Sequence, residues 1–343
     1  MTCLPAPSSV AEANVAPGAP LPEAVTESAV PVLLRGYVAH WPVVKAAAKG
    51  PAGTRAYLAE FDHAAIVPVT VGDARLKGRI FYDRDLRGID AERGRAPIGE
   101  VLDRVARHGG QPQPPLIYVA SVEADEALPG FRAENDVPLG DSPGADDPLV
   151  SLWIGTRSRI AAHNDLPRNL ACVASGDRVF TLFPPGETQN LYPGPIENTP
   201  AGRPVSMVDF AAPDLDRFPR FAEAMKRAQR ADMVPGDALF IPSMWWHHVE
   251  ASGPFNMLVN YWWRTVPSHL GTPQDVLNHA MMTIRDLPPA EKTIWRDLFD
   301  AYVFGDPDTP RAHLPEDAWG ILGPMTPERA RRVRTFLLNR LNR

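Results

Sequence analysis

Cysteine is almost missing from the chain: Cys3 and Cys172 are the only two in 343 residues. A disulfide framework is therefore excluded, and a reducing, cytoplasmic setting is expected. A basic excess is missing too, since 35 Lys and Arg residues stand against 41 Asp and Glu, a formal net charge of -6. Such a surface offers no electrostatic footprint for a phosphate backbone, so nucleic acid is not an expected partner. No stretch of about 18 apolar residues occurs, and no basic segment followed by an apolar one opens the sequence; neither a membrane span nor a secretory leader is expected. Large apolar side chains are sparse over residues 1–29, which are rich in Ala, Pro, Ser and Val. That segment is expected to be a flexible or surface-draped arm without chemistry of its own.

What remains has the composition of a soluble globular protein, with 44% hydrophobic and 22% charged residues. Its length allows one enlarged domain or two. From Val30 a short apolar run closes at Gly36, and Val43 to Lys49 reads as a short helix. Ala65 to Tyr82 is broken at Gly72-Asp73 and Gly78, which predicts hairpins. Ile98, Val101, Leu102 and Val105 have helical spacing, so Ile98 to His108 is predicted as a helix. Leu116 to Ala120 is a strand candidate. Residues 123–148 are acidic and rich in Pro and Gly, a long loop suggestive of a lid or covering segment. Strand signals resume at Leu149 to Ile154. Between Ile160 and Trp263 short strands alternate with Gly/Pro/Asp turns, as in a β-barrel or a two-sheet sandwich. Beyond Pro273 the apolar spacing is helical.

Candidate chemistry begins at His163-Asn164-Asp165. Residues at i and i+2 of an extended segment project to one face, so one metal can take both side chains. Further on, Pro235-Gly236-Asp237-Ala238-Leu239-Phe240-Ile241-Pro242 leads into Trp245-Trp246-His247-His248, which puts His247 eighty-four residues after His163. Two histidines and one carboxylate on one face of a metal leave positions open for a bidentate co-substrate and O2, the arrangement that suits Fe(II). A structural zinc site usually closes its shell with Cys and His. Each residue also has an ordinary reading. Asp165 before Leu166-Pro167 fits a turn, the Trp-Trp-His-His cluster fits an aromatic core, and Arg178 fits an ion pair with Asp177 or another carboxylate. His40, His63, His108, His269, His279 and His313 sit outside any ligand spacing.

Several ordered segments together carry a resemblance. Ala162-His163-Asn164-Asp165, Asn169, Gly176-Asp177-Arg178-Val179-Phe180 through Pro185, Gly236 through Pro242 with Trp246-His247-His248, and Asn260-Tyr261-Trp262-Trp263 resemble the cupin-like branch of the JmjC oxygenases. The likeness runs from about residue 30, through Phe81-Tyr82-Asp83, to about residue 265. In layout it is similar to the asparaginyl hydroxylases of that branch and to their bacterial relatives.

The resemblance implies a double-stranded β-helix (jelly-roll, cupin) core, mainly β with α, with helical N-terminal decoration and a helical C-terminal region. It implies Fe(II) held by His163, Asp165 and His247, the first histidine after the tryptophan pair; strand alternation says only that His247 and His248 face opposite ways. It implies 2-oxoglutarate and O2 as co-substrates. Arg178 would meet the distal carboxylate of 2-oxoglutarate, at a position where relatives often carry Lys. Tyr118 would bond the same carboxylate, Asn169 and Asn260 would stand near the metal-proximal end, and Trp262 would wall the pocket. Ile160 stands where a relative has a hydroxyl-bearing residue.

The organisation expected is an arm over 1–29, an oxygenase domain over 30–265, and a helical region over 266–343 that forms a homodimer interface. The activity expected is hydroxylation of a protein or peptide side chain, or of a small molecule, coupled to decarboxylation of 2-oxoglutarate. The alternative is a cupin-type protein that binds a metal or small ligand without turnover.

Overall fold

The computed structural model of the chain describes residues 4–197 and 199–342; Cys3 lies outside them. The chain divides into two compact units, Met1–Thr265 and Val266–Arg343. The first carries fifteen described strands. They are β1 (Ser8–Ser9), β2 (Ala11–Glu12), β3 (Val32–Leu34), β4 (Ile66–Gly72), β5 (Arg79–Ile80), β6 (Glu92–Pro97), β7 (Leu116–Glu123) and β8 (Leu149–Gly155). After these come β9 (Ser158–Asn164), β10 (Arg168–Ser175), β11 (Arg178–Phe183), β12 (Gln229–Met233), β13 (Ala238–Ile241), β14 (Trp246–Ala251) and β15 (Asn256–Trp263).

Two sheets result. One has the order β1-β12-β11-β14-β9-β5, the other β2-β3-β13-β10-β15-β8-β7-β4-β6. From β8 to β15 the chain passes from sheet to sheet, apart from β11 and β12, which pair in one sheet across a long connection, and builds two facing antiparallel four-stranded layers. This is the double-stranded β-helix. Phe180, Leu182 and Val249 from one layer interdigitate with Ala171, Val173, Leu239 and Leu258 from the other. The opposite face of the larger sheet is covered as well. There Leu170, Cys172, Phe240, Val259 and Tyr261 pack with Trp41, Leu58, Ile98, Val101, Leu102 and Val105. A sheet buried on both faces needs continuous apolar strands, which is why β10 and β15 are buried along nearly their whole length. The helix Ile98–His108 forms over the predicted residues and buries the predicted stripe.

One expectation changes and two open readings are narrowed. Of the flexible and surface-draped readings of the segment before residue 30, its described residues fit the draped one: β1 adds to β12, β2 adds to β3, and Val10, Val15, Leu21 and Val25 are buried. These anchors are spaced irregularly, because an extended chain draped over a sheet edge follows the groove it fills and not its own period. Residues 65–82 form no hairpin. Here β4 pairs with β6 and β7, while β5 crosses to the other sheet beside β9. Residues 123–148 are packed, with Leu128, Phe131, Val137 and Leu139 in the core. Asn135 Oδ1 accepts from Val43 N–H at 3.0 Å, and Trp41 Nε1 donates to the Asp136 carbonyl at 3.1 Å.

Gly236 and Asp237 have a structural task. Gly236 sits at φ 104, where a Cβ would also come within 3.1 Å of Ala39. The buried Asp237 carboxylate accepts from Gly36 N–H at 2.9 Å, Val234 N–H at 3.2 Å and Arg35 Nη1 at 2.8 Å, tying β3 to β13. Arg35 is half exposed, so the two backbone donors dominate. Asp237→Ala is expected to destabilise by about 2–4 kcal/mol. A lower urea midpoint at unchanged slope would register it.

The second unit consists of the helices Pro273–Thr283, Pro289–Phe299 and Pro327–Leu341 with short 3-10 turns and a π-helical turn at Asp300–Phe304. His269 Nε2 lies 2.8 Å from the Met325 carbonyl, and Arg334 Nη1 donates to the His269 carbonyl at 2.8 Å. Among the described residues no helix is long and apolar enough to cross a membrane.

Candidate metal centre

His163 on β9 and His247 on β14 are cross-strand partners. Between them and the next matched pair, Val249 and Ile160, β14 advances two residues and β9 three. The extra residue is a bulge at Ala161–Ala162, and it lets both Ile160 and His163 face the interior. Asp165 follows the end of β9. Its carbonyl accepts from Met244 N–H at 2.8 Å, and Ser243 Oγ donates to the Leu166 carbonyl at 2.6 Å. Met244, at φ 65, turns the chain there. These contacts fasten the loop before β14 to the loop after β9 and so set Asp165 against His247.

One ligand atom from each of His163, Asp165 and His247 lies within 4.8 Å of the others. His247 Nε2 is 3.5 Å from Asp165 Oδ2, and the two imidazole centroids are 4.4 Å apart. Adjacent ligands around a first-row metal with bonds of roughly 2.0–2.2 Å stand about 3 Å apart, so small side-chain adjustments suffice. Nδ1 of His163 lies 2.9 Å from the Ala161 carbonyl, and Nδ1 of His247 lies 3.1 Å from the Trp245 carbonyl. A carbonyl only accepts, so in each ring Nδ1 carries the proton and Nε2 keeps the lone pair that a metal requires. Burial, with the neighbouring His163, pulls His247 down to about 4. At neutral pH it is therefore the uncharged base, and a proton competes little with a cation. His248 points the other way, stacked on Phe210 and 3.3 Å from Glu250.

The cavity above these three residues is lined by all the other residues named for the co-substrate: Tyr118, Asn169, Arg178, Asn260 and Trp262. Their convergence follows from register. Arg178 precedes Phe180 and Leu182 on the inward face of β11, while Asn169 opposes Trp262 and Ala171 opposes Asn260 on the facing layer. Arg178 is 2% exposed and makes no ion pair with Asp177; its Nε has no hydrogen-bond partner. Burial lowers its pKa to about 10, with Tyr118 acting in the opposite sense. Tyr118 is pushed up to about 12 by burial and is a neutral phenol. Asn260 Nδ2 donates to Asn169 Oδ1 at 2.9 Å, leaving Asn260 Oδ1 unpaired, as are the indole nitrogens of Trp153 and Trp262. A buried guanidinium without an anion, ringed by unsatisfied polar atoms, fits a small carboxylate-bearing molecule. Trp153 was not among the sequence candidates. It stands edge-on to Trp262 with centroids 5.9 Å apart, and a single tryptophan in an apolar strand carries no signal of its own.

The sequence model of one family, described as "Cupin-like domain", matches residues 19–269. The chain belongs to the cupin-like domain family. Within it the chain is similar to "Lysine-specific demethylase 8" of Xenopus tropicalis, 27% identical over 241 residues, which cover 68% of this chain and 48% of that protein. "Lysine-specific demethylase JMJ31" of Arabidopsis thaliana is 33% identical over 127 residues, 35% of this chain and 23% of that protein. "HSPB1-associated protein 1" of Homo sapiens is 31% identical over 147 residues, 41% and 28% respectively. The matches thus span less than half the length of each of these relatives. JmjC oxygenases of the cupin-like family use Fe(II), 2-oxoglutarate and O2, and His163, Asp165 and His247 form a candidate iron site of that kind.

Proposed function

We propose that the chain is an Fe(II)- and 2-oxoglutarate-dependent oxygenase that hydroxylates a C–H bond. One observation carries this reading: a single cavity holds both the two-histidine, one-carboxylate cluster and the unpaired guanidinium of Arg178. Fe(II) with 2-oxoglutarate and O2 supplies the oxidation when bound, sending one oxygen atom to succinate and the other to the substrate. The protein's residues do the rest. His163, Asp165 and His247 hold the metal, the two imidazoles fixed in orientation by the Ala161 and Trp245 carbonyls. Arg178 and Tyr118 receive the distal carboxylate, and Asn169 and Asn260 face the metal-proximal end. Trp262 and Trp153 wall the cavity and keep water out.

Two of these relatives are named as lysine-specific demethylases and the third for its association with HSPB1. For this chain we propose a protein or peptide side chain or a small molecule, acted on in the cytoplasm, where Cys172 remains a buried thiol. Purified anaerobically, the protein is expected to bind one Fe(II) per chain and to develop a weak visible charge-transfer band when 2-oxoglutarate is added. With O2 admitted, succinate should form only when all three are present. A folded protein that takes up the metal and makes no succinate would instead be a cupin-type binding protein.

A homodimer through the C-terminal helices belongs to the same proposal. Phe336, Leu337, Leu338 and Leu341 on the helix Pro327–Leu341 are all exposed. Covering each against a second copy would contribute about 1.5–3 kcal/mol as an upper bound. Light scattering should find a dimer that Phe336→Glu with Leu337→Glu splits; a monomeric wild type refutes the interface.

A further inference from the structure

A second cavity of roughly 380 Å³ adjoins the metal cavity and shares with it Tyr118, Trp153, Ile160 and His163. Its walls are mostly apolar, with Val69, Ile80, Ile89, Ala161 and Val205 among them. Among its described lining residues there is no Asp or Glu, and Arg93 is the only Arg or Lys. In register, Arg93 opposes Thr70, and Thr70 opposes Tyr118. Directly opposed residues share a face, so the three side chains stand in one row, with Arg93 about 10 Å from Tyr118 at the Cα atoms. Arg93 Nη2 meets the Thr199 carbonyl at 3.4 Å and has no carboxylate partner among the described residues. A further part of the cavity wall is shaped by an irregularity in β7. Its pairing with β8 shifts between Val119 and Val122, and Ser121, which lines the cavity, sits at φ 51. A non-glycine residue held left-handed in a bulge is uncommon, and such features gather beside binding sites.

We propose that this cavity is the substrate pocket and that it takes a small organic anion with an apolar body, whose charged group meets Arg93. The proposal rests on the oxygenase reading above and names the substrate class for that site. An ammonium group entering the same space would be desolvated among Val, Ile and Ala side chains with no carboxylate to pair it, and would face Arg93 as a like charge. The aromatic rings at the inner end offer no open cage, since Tyr118 and Trp262 both pack against Trp153, at 6.2 and 5.9 Å between centroids. Exclusion of cations is thus as much a part of the selectivity as attraction of anions. A lysyl side chain is the wrong charge for this pocket. A cavity of this volume suits a ligand of drug-like size or smaller.

The test compares two probes with one apolar body, 3-phenylpropionate and 3-phenylpropylammonium, on protein loaded anaerobically with Fe(II) and 2-oxoglutarate, so that Arg178 is occupied. Binding is read by saturation-transfer NMR and titration calorimetry, without turnover. The carboxylate is expected to bind at least about tenfold more tightly than the ammonium. Arg93→Lys should keep that preference and Arg93→Glu should reverse it. Ala201→Trp, which fills the cavity from its loop side, should abolish binding of the carboxylate. Equal or tighter binding of the ammonium to wild type overturns the inference, as does an unchanged preference in Arg93→Glu. The oxygenase reading fails separately: a wild type that retains the carboxylate preference, sensitive to Ala201→Trp, yet takes up no Fe(II), supports the charge selection and sinks the oxidation.

Discussion

Asp165→Ala is expected to yield a folded protein that no longer retains Fe(II) or turns over 2-oxoglutarate. The carboxylate lies on a loop after β9, 17% exposed, and the neutral imidazole of His247 stands beside it, Nε2 to Oδ2 at 3.5 Å. The backbone bond that holds the loop, Met244 N–H to the Asp165 carbonyl, survives the substitution. Stability should therefore change little. Loss of a residue that merely orients a ligand costs 10–100-fold in metal affinity, so loss of a ligand should cost at least about 100-fold. His247→Ala should match it, because among the described residues that ring and His163 are the imidazoles lining the cavity. His248→Ala should keep iron and partial activity, since His248 packs outside on Phe210. Anaerobic Fe(II) titration and succinate release would check all three. Iron retained by His247→Ala but lost from His248→Ala would show that the wrong histidine had been chosen.

The contrast between the two histidines marks how far the sequence could be read. Alternation along a strand assigns opposite faces to neighbours, and that much holds for His247 and His248. Which face is inward depends on the partner strand and on the bulge at Ala161–Ala162, and neither is written in local spacing. The cluster was legible because His163 and Asp165 are neighbours on one segment and because several separated motifs agreed with a known pattern. Elements whose burial is one-sided were equally plain: the helix Ile98–His108 has a single apolar stripe and forms where that stripe lies.

Less was legible where tertiary context replaces period. The strand β6, Glu92–Pro97, reads Glu-Arg-Gly-Arg-Ala-Pro and has no apolar alternation, because it is a sheet edge exposed along most of its length. Arg93 was invisible for that reason, although it stands in the same cross-strand row as Tyr118. The packed course of residues 123–148 was hidden similarly. Its buried side chains, Leu128, Phe131, Val137 and Leu139, follow the surface they cover, and its Pro and Gly content mimics that of a free loop.

Arg178→Met is expected to make the ligand-free protein more stable and to destroy its affinity for 2-oxoglutarate. In the native state the guanidinium is buried without a carboxylate, and desolvation lowers its pKa from the ordinary arginine value to about 10. The unfolded chain thus holds this proton more tightly than the folded one. Folding is therefore penalised at every pH below about 10, and the penalty fades as pH rises from there toward the ordinary pKa of arginine. At neutral pH the full difference applies, about 3 kcal/mol as an order of magnitude. An apolar side chain of similar length removes it, so a gain of about 1–3 kcal/mol is expected, as when other buried charges are replaced. The same change deprives a bound carboxylate of its cation, a loss of about 2–5 kcal/mol in binding. Thermal melts with Fe(II), run anaerobically, separate the two effects. In wild type, 2-oxoglutarate at a hundred times its dissociation constant should add about 2.7 kcal/mol, several degrees in Tm; the variant should melt higher without it and show no response to it. A variant that melts lower than wild type and still responds to 2-oxoglutarate would mean that Arg178 serves the fold, and that the cation for the distal carboxylate lies elsewhere.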